Sequence, residues 1–117
     1  MNDEFVAYLV EQLRMAGPVS ARRMFGGAGL FRDGLMFGLV IDDVLYFKAD
    51  AESAGDFVAL GLPPFTYRRQ GRQYALGYYQ APEDALEDPG TLCLWARKAF
   101  AAALRAAAKA ARPRKRG

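Results

Sequence analysis

The first periodic signal along the chain is helical. Phe5, Leu9 and Leu13 recur at i, i+4 and i+8, with Val6 and Val10 beside them. That spacing predicts one apolar stripe on a helix over residues 3–16. Asn2 or Asp3 is placed to cap it, acidic residues occupy its first turn, and Gly17-Pro18 ends it. The period then changes to two. Residues 27–49 read as a three-stranded meander: Gly29 to Arg32, a turn at Asp33-Gly34, Leu35 to Ile41, a turn at Asp42-Asp43, and Val44 to Lys48. The middle strand is apolar at nearly every position. Leu35, Phe37, Leu39 and Ile41 are expected to point one way, and Met36, Gly38 and Val40 the other, so the strand reads as central and covered, at least partly, on both sides.

The second half repeats the alternation of helix and strand. Asp50 is placed to cap a helix over residues 51–60 that offers Phe57, Val58 and Leu60 to the core, and Gly61 and Pro63-Pro64 close it. Residues 65–69 and 73–79 read as two further strands around Gln70-Gly71-Arg72. Pro82, Glu83 and Asp84 mark a helix start, and Pro89-Gly90 interrupts it. Thr91 is then expected to cap a last helix through Ala110, with Leu92, Trp95, Ala96, Ala99, Phe100, Ala103 and Leu104 on its apolar side. The predicted fold is α+β in the order α-βββ-α-ββ-α. It is a two-layer sandwich with helices on one face of a five-stranded antiparallel sheet. Residues 1–111 are expected to form a single domain and 112–117 a basic disordered tail.

Composition narrows the function classes. The chain has 117 residues, 52% hydrophobic and 25% charged, which suits one globular domain. No apolar run approaches the roughly 20 residues of a membrane helix. The start at Asn2, Asp3 and Glu4 lacks an export signal, so a cytoplasmic location is expected. There is no histidine and one cysteine, Cys93, which removes His-dependent triads, Cys/His zinc sites and an internal disulfide. Ser20 and Ser53 stand outside any nucleophile elbow, and no Walker A pattern is present. Asp42-Asp43 and Glu83-Asp84 lack an EF-hand spacing. Without a base beside it, Cys93 reads as a buried structural residue. The expectation is a protein that is not an enzyme and carries no cofactor or metal. Gly26, Gly27 and Gly29 feed a strand rather than a helix, so a bulge, a positive φ or close backbone approach explains them better than a phosphate loop does.

Charge points to two candidate surfaces. Residues 1–96 carry 13 acidic and 8 basic residues, net −5, whereas residues 97–117 carry eight basic residues and no acid, net +8. Arg105, Lys109, Arg112, Arg114, Lys115 and Arg116 are therefore candidate nucleic-acid contacts. Cations in a last helical turn also complement the helix dipole without any partner. The second candidate surface is on the sheet. Tyr46, Tyr67, Tyr74, Tyr78 and Tyr79 crowd it, with Arg68, Arg69 and Arg72 interleaved, and a two-layer fold leaves one sheet face uncovered. Such a face suits a protein partner or a second copy of the chain, or stacks bases, or simply holds cross-strand pairs. Arg22 and Arg23, with Arg32, form a further candidate anion-binding or partner-binding patch, unless they are solvated or paired with carboxylates such as Asp33.

The stretch Arg23-Met24-Phe25-Gly26-Gly27-Ala28-Gly29-Leu30, continuing through Asp33-Gly34-Leu35-Met36-Phe37-Gly38-Leu39 to Leu45-Tyr46-Phe47-Lys48, resembles the signature of the TfoX/Sxy N-terminal-domain family. Pro64-Phe65, the Tyr-rich strand and the Trp95-containing helix fit as well, so the resemblance runs from about residue 3 to 105. It implies a two-layer α+β fold similar to type III secretion chaperones. It also implies kinship with regulators of natural competence, coactivators that work beside the cyclic-AMP receptor protein and are not enzymes. The family brings no catalytic residues to transfer. Full-length competence regulators continue into a second, helical domain, and this chain is expected to be a stand-alone N-terminal module.

Overall fold

Two-residue turns organise the sheet. Asp33-Gly34 (φ 50° and 78°), Asp42-Asp43 (51° and 61°) and Gln70-Gly71 (53° and 77°) each place both central residues at positive φ. Such turns match the right-handed twist of the strands they join. The structure is a computed structural model and describes residues 3–24 and 26–111. The helices are α1 (Asp3–Gln12), α2 (Ala54–Val58) and α3 (Pro89–Ala110). The strands are β1 (Ser20–Met24), β2 (Gly27–Arg32), β3 (Leu35–Ile41), β4 (Val44–Lys48), β5 (Pro64–Arg69) and β6 (Arg72–Gln80). Two 3-10 turns, Arg14–Ala16 and Glu83–Leu86, complete the order.

The sheet is antiparallel in the order β1-β2-β3-β4-β6-β5. It has six strands, which corrects the five read from sequence. The extra strand is β1, Ser-Ala-Arg-Arg-Met, paired with β2 from Ser20↔Phe31 to Met24↔Gly27. It shows no apolar alternation because four of its five residues are exposed, and backbone pairing holds it. Charged residues on such an edge discourage pairing with other chains.

The helices pack on one face. Val6, Leu9 and Leu13, Phe57, and Leu92, Cys93, Ala96, Ala99 and Ala103 meet Ala28, Leu30, Phe37, Val40, Leu45 and Phe47 in one core. Phe57 lies 4.9 Å from the Trp95 ring and 5.3 Å from the Tyr79 ring, centroid to centroid. Alternation in β3 breaks at a bulge: the register passes from Leu30↔Gly38 to Phe31↔Met36, so β3 carries one extra residue. Leu35 and Phe37 therefore face the helices with Val40, while Leu39 and Ile41 do not. This corrects the expected grouping of Leu35, Phe37, Leu39 and Ile41 on one side.

The helices also differ in extent from the sequence reading. The first becomes a 3-10 turn after Gln12. The second has only five residues, because Asp50 Oδ1 accepts from the Glu52 and Ser53 amides and holds 50–53 as a turn ahead of it. Phe57 is buried as expected, but Val58 and Leu60 are 61% and 58% exposed. The last helix begins at Pro89 rather than Thr91. Asp88 caps it, accepting from the Thr91 amide at 2.9 Å and the Thr91 hydroxyl at 2.6 Å. Leu104, expected inside, is exposed. No helix among the described residues is long and apolar enough to cross a membrane.

Candidate functional site

Residues that alternate with the core build the sheet face turned away from the helices. In β4, Leu45 and Phe47 enter the core, so Val44, Tyr46 and Lys48 point away. Beyond the β3 bulge, Leu39 and Ile41 join them. β5 adds Phe65, Tyr67 and Arg69, and β6 adds Tyr74, Leu76 and Tyr78. The β5–β6 register shifts between Pro64 and Thr66, with Gly77 at φ 79° in the bulged strand. A bulge of this kind bends a hairpin. Phe65, Tyr67, Arg69 and Leu76 consequently line, with Leu39 and Ile41, a depression of about 360 Å³. Leu39 is its floor at 1% exposure, while Tyr67, Tyr74 and Leu76 are 39%, 41% and 38% exposed.

The aromatic rings on this face contact one another. Tyr46 meets Phe65 edge-on at 5.1 Å, Phe65 and Tyr67 stack at 6.4 Å, and Tyr67 and Tyr74, a cross-strand pair, stack at 5.6 Å. Burial raises the Tyr46 hydroxyl pKa, and the Asp42 carboxylate adds to the shift. Tyr78 is nearly covered; its hydroxyl lies 3.5 Å from the Met36 carbonyl and burial raises its pKa to about 12. Lys48 Nζ stands 5.3 Å from the centre of the Tyr78 ring.

Of the tyrosines singled out from sequence, Tyr46, Tyr67, Tyr74 and Tyr78 share one face, whereas Tyr79 pairs with Phe47 and turns to the helix side against Phe57. Arg68 pairs in register with Gln73 and points to the opposite side, and Arg69 takes the place at the depression. Arg22 and Arg23 are neighbours on a strand and so diverge. Arg22 lies 5.0 Å over the Phe31 ring, whereas Arg23 pairs with Asp3 at 2.8 Å. Arg32 turns to the helix side, where it donates to the Ala16 carbonyl at 2.7 Å and lies over Phe100. The three arginines do not form one patch. Sequence reasoning missed Leu39, Ile41, Phe65 and Leu76 as members of the face. The period-two spacing of Phe65 with Tyr67, and of Leu76 with Tyr74, was the available signal.

The folded part of the basic segment is largely paired. Arg105 donates to both Asp50 oxygens, at 2.6 and 3.0 Å, and also meets Glu52. That guanidinium lowers the Asp50 pKa to about 2. Lys98 pairs with Asp56 at 2.9 Å, and Arg97 donates to the Met15 carbonyl. Lys109 lines the same depression as Asp50 and Glu52. Arg112, Arg114, Lys115 and Arg116, with the rest of the tail and the Asn2 cap, lie outside the described residues. Among the described residues no three metal-ligating side chains are grouped to hold an ion. Cys93 is buried with its Sγ 3.6 Å from the Gln12 carbonyl.

Two known proteins share this sequence pattern. The chain is 31% identical over 80 residues to the DNA transformation protein TfoX1 of Aliivibrio fischeri, an alignment covering 68% of this chain and 38% of that protein. It is 34% identical over 73 residues to Protein Sxy of Escherichia coli K12, covering 62% of this chain and 35% of that protein. The aligned part is little more than a third of either relative. Residues 11–103 match the TfoX N-terminal domain, and the chain belongs to that family.

Proposed function

We propose that the chain is a cytoplasmic, non-enzymatic regulatory module that works by protein contact through the helix-free face of its sheet. One observation carries the reading. All three helices cover one face, while the other presents Phe65, Tyr67, Tyr74 and Leu76 around a depression floored by Leu39. Aromatic and aliphatic groups gathered at a partly exposed surface are the composition of a contact patch. Their chemistry binds rather than reacts. The family supplies the regulatory part of the reading, since a relative is named a DNA transformation protein.

The test is genetic. Deleting the gene is expected to change the abundance of a defined set of transcripts. Wild type should restore that set. A Tyr67→Ala/Leu76→Ser variant that melts like wild type should not. An unchanged transcript profile on deletion, or full restoration by the variant, would contradict the proposal.

A further inference from the structure

Cations on the two sides of the sheet are treated differently. Toward the helices, Arg23, Lys98 and Arg105 each meet a carboxylate of the body, while Arg97 donates to the Met15 carbonyl and Lys109 has no ion pair among the described residues. Arg22, Lys48 and Arg69 on the helix-free face, and Arg68 and Arg72 in the adjoining hairpin, form no ion pair among the described residues. No acidic residue occurs between Phe57 and Pro82, although that segment carries three arginines. The Asp42 carboxylate, in the turn after β3, acts on Tyr46 of this face. The depression thus has an aliphatic lining of Leu39, Ile41 and Leu76, with Leu39 as its floor, and a cationic rim at Arg69.

We infer that this face takes an acidic protein segment, carrying aliphatic or aromatic anchor side chains, in the depression beside Arg69. The inference deepens the protein-contact reading and rests on it. Unpaired positive charge selects a partner by complementary potential, and the aliphatic floor supplies the place for an anchor. Positive charge and tyrosines are also found in single-strand nucleic-acid platforms, where each base stacks on a free ring face. Here the rings of Phe65, Tyr67 and Tyr74 stack on one another. The floor beneath is aliphatic. Both features favour an apolar side chain over a base.

The intact chain is titrated, with amide resonances followed by NMR, against a short synthetic peptide in which Glu alternates with Leu and Phe. The comparison ligands are the same peptide with Gln for Glu, the same peptide with Lys for Glu, and oligothymidylate. The acidic peptide is expected to shift Leu39, Tyr67, Arg69 and Leu76 and to bind about tenfold tighter than the Gln peptide. Its affinity should fall as salt rises. The preference should vanish in an Arg69→Glu/Arg72→Glu variant; salt dependence in the unaltered chain serves as the check if that variant folds poorly. Equal binding of the Gln peptide at this face would overturn the acidic class and leave the protein-contact reading standing. Tighter binding of oligothymidylate at the same residues would overturn both in favour of nucleic acid. No shift with any ligand would also overturn both.

Discussion

Asp50 joins two parts of the fold through one side chain. Its carboxylate accepts from the turn amides of Glu52 and Ser53 and, across the structure, from Arg105 of α3. The folded-state pKa of about 2 lies below the ordinary Asp value near 3.9. The contact therefore stabilises the fold above about pH 4, and that contribution is lost as pH falls toward 2. Carboxyl-carbon NMR should place the Asp50 midpoint near 2 in the wild type and clearly higher in Arg105→Ala. An unmoved midpoint would show that Arg105 is not the cause. At Gly27 the constraint is steric: an added Cβ would run into the Val40 carbonyl of the neighbouring strand. Gly27→Ala should cost about 3 kcal/mol or more in urea unfolding. Gly34→Ala meets no neighbour but must adopt φ 78°, and should cost about 1–2 kcal/mol. Reversal of that order would contradict the close approach. The crowding of glycines ahead of Leu30 was legible as a backbone signal, but which glycine touches which strand depends on a pairing that no local pattern records.

Elements were legible where local chemistry dictates them. Asp33-Gly34 and Gln70-Gly71 announce their turns because few residues tolerate positive φ, and the Phe5, Leu9, Leu13 stripe announces α1. β1 was not legible, since its stability comes from backbone pairing to β2 and its side chains are exposed. The β3 bulge was not legible either. Every residue around it is apolar apart from Gly38, so moving the alternation by one position leaves no mark in the sequence. For α2 the pattern overstated the length, because Asp50 and Ser53 satisfy each other in a turn that precedes the helix. With five residues, α2 owes its place to Phe57, wedged between Trp95 and Tyr79. Phe57→Ala should lower stability by about 3–5 kcal/mol. Exposed Val58→Ala should change it by about 0.5 kcal/mol or less. Comparable losses for the two would mean that α2 is not anchored through this ring.

The whole molecule has one face packed by helices and one that presents rings, an aliphatic floor and cations that form no ion pair among the described residues. The tyrosines of that face, Tyr46, Tyr67, Tyr74 and Tyr78, were legible from their places on three strands. Its floor was less so: Leu39 and Ile41 share the face through their pairing with Tyr46 and Val44, which no local pattern records, although the period-two spacing of Leu76 with Tyr74 marks Leu76. The basic C-terminal segment reads differently in three dimensions than in sequence. Lys98 and Arg105 are answered by acids of the body, so part of the apparent charge asymmetry is internal pairing. The central claim is that contact is made through the helix-free face. The β5–β6 hairpin offers a test within one element, since Tyr67 and Leu76 lie on that face while exposed Thr66 and Gln73 lie on its reverse. A photo-crosslinking amino acid is introduced at each of these four positions in turn, and adducts are collected from living cells. The account predicts discrete protein adducts from positions 67 and 76 and none from 66 and 73. Adducts from the reverse positions alone, or from none of the four, would contradict it.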